Sequence, residues 1–320
     1  MKLFILALMV TLAAAIVSLF VGVSDVSLSA LFSGEADEKM LMVFAVSRLP
    51  RTIALVLAGA GMAVAGTIMQ MLARNRFAEP STAGTVESAS LGMLVVLLLA
   101  PDLPVMMKML VASTFALAGT SLFLLILQRV PLRSPILVPL IGLMLGGVIS
   151  ACTTFFAYRF DLMQAMGAWT SGDFSTVLQG RYEVLWIAFV LTVASYVAAD
   201  RFTVAGMGQD FATNLGLHYG RVLAFGLVVV SMVTASVVVT AGILPFIGLI
   251  VPNLVSIVMG DKLRHSLPWI ALSGAALVLV CDIVGRTVNA PFEVPAGSVL
   301  GVIGSLFFLN MLLRRRLPAA

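Results

Sequence analysis

Charged residues are scarce in this sequence. Of its 320 residues only 11% are charged and 61% are hydrophobic, and the mean hydropathy is +1.11. An ordinary soluble domain is about 25% charged and about 45–50% apolar. A soluble fold of this composition would have too little polar surface to face water. We therefore predict an all-α, polytopic membrane protein, because each bilayer-spanning helix needs roughly 20 mostly apolar residues.

Reactive and metal-ligating side chains are also few. Cys152 and Cys281 each lie alone in an apolar run, so we expect two small core residues and no disulfide or metal site. His218 and His265 are far apart and have no cysteine nearby, which disfavours a metal site. The sequence contains no G-x-x-x-x-G-K-[ST], H-E-x-x-H or G-x-S-x-G motif. These absences disfavour a catalytic centre or an ATP site in this chain.

A proton relay would need several acids or histidines within the apolar runs. Glu87 is the nearest candidate, and we expect it to lie at the membrane interface or to pair with a neighbour. A proton-coupled carrier is therefore disfavoured. If the protein moves a cargo uphill, we expect the energy to come from another subunit.

Ten apolar runs are separated by charged or Pro/Gly-rich segments, and we interpret 1–320 as one transmembrane domain. The predicted spans are 3–22, 52–72, 86–100, 105–128, 136–157, 182–200, 222–242, 246–260, 267–285 and 296–313. The first run is longer than the apolar part of a secretory leader, about 7–15 residues, so we expect a retained helix. Runs 86–100 and 246–260 are short for a crossing, which is typical of broken helices lining a cavity.

Lys and Arg in the connections predict the orientation. With both termini in the cytoplasm, twelve basic residues lie inside and seven outside. Three of the seven are Arg48 and Arg51, in "SRLPRT" (47–52), and Arg286. They lie on the side where basic residues should be scarce. Either they cap helix ends and snorkel to lipid headgroups, or a partner binds them.

The connection 201–221, "RFTVAGMGQDFATNLGLHYGR", is long for the cytoplasmic side. Its pattern predicts two short helices with a glycine break, "GQDFATNLGL" and then "HYGR". A mixed polar and apolar helix at the membrane surface can bind in a groove of a soluble partner. The alternative is a plain amphipathic loop at the interface.

Several stretches together resemble the permease subunits of bacterial type II ABC importers for iron-siderophores, haem and cobalamin. They follow the order and spacing of that family and cover nearly the whole chain. The stretches are "RLPRT" (48–52), "AGAGMAVAGTIMQMLARNRFAEPSTAG" (58–84), "NLGLHYGR" (214–221), "AGILPFIGLIVPN" (241–253) and "DIVGRTVNAPFEVPAGSVLGVIGSLFFLNMLLRR" (282–315).

The resemblance implies a permease of ten spans in the inner membrane, paired with a second permease around a central path. The implied partners are two ATP-binding subunits, a periplasmic siderophore-binding protein, a ferric siderophore and the lipid bilayer, without nucleic acid. ATP and Mg²⁺ belong to the ATPases, so this chain is expected to hold no cofactor. The implied docking residues for the binding protein are Arg48, Arg51 and Arg286. The implied ATPase-coupling residues are Asp210, Asn214, Leu215, Gly216, Leu217 and Arg221.

We expect the walls of the path to come from spans five and ten and from broken elements near 81–92 and 242–252. Non-helical backbone at membrane depth is tolerated where it is buried in protein or lines a cavity. The alternative is that these residues only kink packed helices or form an ordinary outer turn. The candidate path and gate residues are Gly84, Gly167, Gly172, Pro245, Gly248 and Pro252.

The sequence departs from the family pattern at three places. It has Asn75-Arg76 where Asn-Pro is usual, "GTVESA" (84–89) where Gly-Val-Ser-x-Gly-Ala is usual, and Asn253 where His is usual. The sequence of these segments is similar to a subgroup associated with catecholate and related siderophores, which favours a ferric catecholate cargo. The same similarity favours a heterodimer, and a homodimer is the alternative. Haem, cobalamin or a hydroxamate siderophore are alternative cargoes. A channel acting alone and an intramembrane enzyme are more remote alternatives.

Overall fold

The computed structural model describes residues 2–22, 38–130 and 136–313, and every regular element in these ranges is helical. A π-helical turn, Phe44–Arg48, joins α2 to α3, and short 3₁₀ turns lie at Pro80–Thr82 and Tyr182–Val184. The prediction of an all-α membrane protein is confirmed. The α-helices are α1 (Lys2–Phe20), α2 (Glu38–Val43), α3 (Leu49–Leu72), α4 (Thr85–Leu99), α5 (Val105–Arg129), α6 (Leu137–Arg159), α7 (Met163–Thr170), α8 (Leu185–Val197), α9 (Ala199–Gly206), α10 (Gln209–Asn214), α11 (Tyr219–Thr240), α12 (Ile247–Met259), α13 (Leu263–Val288) and α14 (Ala296–Leu313).

The apolar helices of the described ranges correspond in place to the ten predicted spans. Those long and apolar enough to cross a bilayer are Glu38–Leu72, Val105–Arg129, Leu137–Arg159, Tyr219–Thr240 and Leu263–Val288. A further candidate span is the pair of helical segments Tyr182–Val197 and Ala199–Gly206, which are bent by 69° relative to each other. The shorter apolar helices are Phe4–Phe20, Thr85–Leu99, Ile247–Met259 and Ala296–Met311.

Helix α3 lies at the centre of the bundle, and small residues let its neighbours approach closely. A Cβ atom added to Gly59 would lie 2.5 Å from the carbonyl oxygen of Gly274 in α13. A Cβ atom added to Gly66 would lie 2.2 Å from the Cα of Gly248 in α12. Lipid tails are as apolar as leucine, so helices in a bilayer associate through close packing of this kind.

The chain is not α-helical just before each of the two short helices. The first of these segments lies earlier than the predicted 81–92, because α4 already begins at Thr85, and the second overlaps the predicted 242–252. Between α3 and α4 the chain forms a turn and the Pro80–Thr82 3₁₀ turn, then passes Gly84 at φ +77°. Between α11 and α12, residues 241–246 are not helical, and Phe246 has φ +63°. A bulky residue in the left-handed region is uncommon, so the surrounding contacts must hold Phe246 in place.

The long connection differs in part from its prediction. Gln209–Asn214 is the first predicted short helix, but "HYGR" is not a separate second helix, because α11 already begins at Tyr219. Gly216, at φ +78°, ends α10, and the Leu217 N–H bonds back to the Ala212 carbonyl at 3.0 Å. The residues that follow join the apolar run of α11 without another break. Helix α9, which the sequence pattern did not predict, precedes α10.

The prediction of two core cysteines is right for one residue. Cys281 is buried in α13, but Cys152 is exposed on α6. Only 22% of the apolar window of α6 is buried within the chain. An apolar run does not show which of its faces packs inside the subunit. Sequence reasoning therefore could not tell the buried cysteine from the exposed one.

Candidate functional site

The two broken spans meet at a buried polar contact, which we call the junction: Gln70 and residues 73–84 together with residues 241–253. Glu79, fully buried, lies at its centre. Its Oε1 accepts the backbone N–H of Phe246 at 2.9 Å and also accepts the hydroxyl of Ser81. Its Oε2 faces Gly248, where an added Cβ would lie 3.2 Å away. The carboxylate thus lies against the N-terminus of α12, where a negative charge is favourable.

Two buried amide side chains complete the junction. Gln70 donates from Nε2 to the Gly248 carbonyl at 3.0 Å. Asn253 donates from Nδ2 to the Arg76 carbonyl at 2.9 Å and to the Leu249 carbonyl at 2.7 Å. Backbone groups freed by a broken helix must find partners away from water. The junction supplies them and ties one break to the other.

Sequence reasoning found only part of the junction. It marked Arg76 and Asn253 as departures from the family pattern but did not relate them, and the structure shows that the Asn253 side chain bonds the Arg76 backbone. It passed over Glu79 and Gln70. An acid directly before Pro80, between two apolar runs, was the available signal.

The candidate path residues divide into two groups. Gly248 packs against α3, and Gly172, at φ +64°, packs against Gly297 at the start of α14. A Cβ on Gly172 would lie 2.7 Å from the Gly297 Cα, so these glycines serve close packing. Gly84 approaches Gly146 of α6, since a Cβ on Gly84 would lie 3.4 Å from its backbone nitrogen.

The other candidates border open space or the exposed helices. Gly167 has nothing within 4 Å of an added Cβ and lines a cavity of about 240 Å³. Pro252 lines a cavity of about 340 Å³ near Asn253. Pro245 lies 3.8 Å from the Cβ position of Gly301 in α14. The first broken element therefore packs against α6 and the second against α14, the two helices predicted to form path walls. Which residues line the path stays a prediction.

The three predicted docking arginines lie together around one cavity of about 390 Å³. Arg51 bonds two acids, with Nη2 at 2.7 Å from Asp282 Oδ1 and Nη1 at 2.8 Å from Glu293 Oε2. Arg286 Nη2 lies 2.5 Å from Asp282 Oδ2. The Arg51–Asp282 pair thus joins α3 to α13, and the Asp282–Arg286 pair lies within α13.

Arg48 and Arg286 also bond the C-terminal end of α1. Arg48 donates to the Leu19 carbonyl at 2.9 Å, and Arg286 donates to the carbonyls of Ser18 at 2.9 Å and Val21 at 2.7 Å. The last carbonyls of a helix lack intrahelical partners and favour a positive charge. Both arginines are buried, with 6% and 7% exposure. Helix capping accounts for these contacts, and docking stays a prediction.

The predicted coupling residues lie on α10 and the turn after it, except Arg221, which lies in the first turn of α11. Leu217 is half-buried, and the exposed members are Asp210, Asn214, Leu215, Gly216 and Arg221. Phe211 and Leu215 expose 49% and 63% of their surface, so α10 presents apolar side chains on a polar helix. The element is anchored through α9, where Phe202 stacks on Phe225 with ring centroids 5.8 Å apart.

Two exposed ion pairs lie away from the arginine cavity. Arg76 pairs with Asp261 at 2.9 Å, and Arg264 pairs with Asp200 at 2.6 Å. Both arginines belong to the twelve basic residues that the Lys and Arg distribution assigns to the cytoplasmic side, whereas the arginine cavity lies among residues predicted to be outside. Which end faces the cytoplasm stays a prediction from the Lys and Arg distribution.

The fold and the site define the class of protein. Its apolar helices are suited to cross a bilayer, two of the spans are broken and tied at a buried junction, and α10 is a largely exposed helix outside them. This is the architecture of a polytopic transport permease. The chain belongs to the FecCD transport family, whose model matches residues 9–315. It is 49% identical to the petrobactin import system permease protein YclN of Bacillus subtilis, covering 94% of this chain and 95% of that protein. It is 42% identical to the ferric-anguibactin transport system permease protein FatD of Vibrio anguillarum, covering 93% and 94%.

A solved chain described as a metal-chelate type ABC transporter in an inward-facing conformation has the same fold. The TM-score is 0.81 at 21% identity, covering 98% of this chain and 99% of that chain. Membership of the family makes this chain a permease subunit and not an enzyme, with ATP hydrolysed by a separate subunit. Such permeases work with ATPase and substrate-binding partners.

Proposed function

We propose that this chain is the membrane subunit of an ATP-driven importer for a ferric siderophore of the catecholate type. The observation that carries the proposal is its near full-length similarity to two permeases named for petrobactin and anguibactin import. A ferric siderophore is too large and polar to cross lipid. The subunit need only offer a polar path that opens alternately to each side.

In this proposal the chain lies in the bacterial inner membrane with both termini in the cytoplasm. A second, different permease subunit faces α6 and α14, whose exposed surfaces this chain leaves uncovered. Two ATPases bind α10 and the turn after it. ATP binding then shifts the equilibrium between outward-open and inward-open states, which requires contacts that differ between the two states.

A periplasmic binding protein docks at the arginine cavity. Arg51 is the arginine best suited to exchange a partner, since Glu293 is 27% exposed and a carboxylate from outside can replace it. The planar guanidinium bonds carboxylates in a bidentate manner, which favours this exchange. Arg48 and Arg286 then act indirectly, because they hold the C-terminal end of α1 in place beside Arg51.

The test is uptake of ⁵⁵Fe in a strain that lacks this gene and in the same strain complemented with it. The strain is offered iron as a catecholate chelate, as a hydroxamate chelate and as haem, and labelled cobalamin separately. We expect complementation to restore catecholate uptake alone. Restoration of only another cargo would overturn the catecholate assignment. Co-purification with one other permease chain supports the heterodimer, and recovery of a self-pair would contradict it.

A further inference from the structure

A polar cavity of about 240 Å³ lies between α4, α6 and α7. Glu87 and Ser90, one turn apart on α4, form one wall. The Glu87 carboxyl group packs against Gly146 of α6, where an added Cβ would lie 3.1 Å from the carboxyl carbon. The missing side chain at position 146 therefore makes the room that the carboxylate occupies.

Two polar atoms of this wall have no partner. Glu87 Oε2 and Ser90 Oγ are shielded from solvent and have no hydrogen bond to the described part of the chain. Ser90 is only 5% exposed. Of the two predicted settings of Glu87, pairing with a neighbour is not seen for this oxygen among the described residues, and a position at the membrane interface stays a prediction. A buried carboxylate without a donor is costly, so the site favours a positively charged donor.

The rest of the cavity offers more acceptors and an apolar surface. The Thr153 hydroxyl donates to the Ile149 carbonyl at 2.8 Å, and the Thr170 hydroxyl donates to the Gly167 carbonyl at 3.2 Å. Their hydrogens are therefore engaged, and the lone pairs of the two hydroxyl oxygens stay free to accept. Met163 and Met166 line the cavity beside them.

This chemistry matches an organic ammonium group better than a metal ion. Within the described residues, no three His, Cys, Asp or Glu side chains lie close enough to hold a metal. Multivalent cations prefer several charged oxygen ligands, and this site has one carboxylate. An alkylammonium group carries two or three N–H donors for the acceptors and methylene groups for the methionines.

We propose that this cavity binds a protonated amine carried by the cargo, with Glu87 as its counter-ion and Ser90 as a second contact. The inference rests on the proposed function, because it assigns part of the recognition of an imported chelate to the permease itself. It predicts that the transporter distinguishes two chelates that differ only in the charge of one nitrogen.

The experiment uses ⁵⁵Fe complexes of two synthetic bis-catechol ligands. One has a secondary amine in its linker, and the other has the same nitrogen acetylated and so uncharged. Initial uptake rates are measured in cells with the complete transporter, for wild type and Glu87→Gln. For each chelate, the initial uptake rate of wild type is divided by that of the variant. This ratio cancels any preference of the binding protein for one chelate over the other.

We expect the ratio to be about tenfold larger for the amine chelate, as for one lost charge-assisted hydrogen bond. Asp102→Asn, which changes an exposed acid just beyond the other end of α4, should give equal ratios for both chelates. Ser90→Ala should also give a larger ratio for the amine chelate than for the acetylated one, by a smaller factor than Glu87→Gln. Membrane levels of all variants are compared by immunoblot.

Equal ratios for both chelates would overturn the proposal. If Glu87→Gln does not reach the membrane, the ratio of wild type to Ser90→Ala decides the matter, and equal ratios for the two chelates refute the proposal. Failure of wild type to import either chelate while importing another cargo would instead refute the proposed function.

Discussion

Replacing Glu79 by Gln should loosen the junction between the two broken spans. The side chain is fully buried, and its Oε1 accepts the Phe246 N–H at 2.9 Å and the Ser81 hydroxyl. Gln has nearly the same shape, so no cavity forms. The substitution removes the negative charge at the N-terminus of α12 and turns an NH₂ group toward Gly248 or toward the Phe246 N–H.

The expected size of the effect follows from these contacts. A buried hydrogen bond to a charged group contributes about 1.5–3 kcal/mol, and the helix N-terminus adds up to about 1 kcal/mol for a favourable carboxylate. Glu79→Gln should therefore lower the free energy of unfolding by roughly 2 kcal/mol. It should also slow transport, because Phe246 is held at a positive φ by this contact.

Stability is measured by SDS titration of the purified protein in mixed micelles, followed by tryptophan fluorescence. The matched control is Glu183→Gln. Glu183 likewise accepts a backbone N–H, that of Gly180 at 2.8 Å, but is exposed to solvent. It should change stability by less than about 0.5 kcal/mol. If Glu79→Gln is as stable as its control, the carboxylate does not hold the junction.

Three further substitutions test other parts of the structure. Gly66→Ala should lower the free energy of unfolding by about 1–3 kcal/mol in the same titration, because its Cβ would lie 2.2 Å from the Gly248 Cα. Gly216→Trp should reduce transport-coupled ATP hydrolysis in reconstituted vesicles while the protein still inserts, because Gly216 is exposed at φ +78° beside α10. Arg48→Glu combined with Arg51→Glu should weaken binding of the periplasmic protein and its dependence on salt, measured by surface plasmon resonance.

Each of these has a control or an opposing outcome. Gly147→Ala on α6 has nothing within 4 Å of the new Cβ and should leave stability unchanged. Full coupled hydrolysis in Gly216→Trp would contradict the coupling role of that turn. Arg51→Gln alone leaves the contacts of α1 intact, so it separates docking from helix capping. Unchanged affinity in the double variant would leave capping as the role of Arg48.

The sequence alone was sufficient to predict the class, the spans and the presence of two breaks, although it placed the first break several residues too far along the chain. A span depends on hydropathy over about 20 consecutive residues, and a break depends on where backbone groups in lipid can find partners. Both are therefore properties of a local stretch of sequence. Pro80, Gly84 and Pro245 mark the breaks for the same reason. Within the long connection the pattern placed α10 correctly but divided the start of α11, since a glycine in a polar stretch does not show on which side the helix resumes.

Only the tertiary structure decided which polar groups meet. Glu79 and Phe246 are 167 residues apart, and Arg286 and Ser18 are 268 apart. No local pattern relates such positions, because their contact depends on how whole helices pack around α3. The same packing leaves Cys152 exposed, places Arg48 and Arg286 at the end of α1, and leaves the Glu87 carboxylate beside an open cavity. A charge in a membrane helix predicts that a partner is needed, and the fold determines whether the chain itself supplies it.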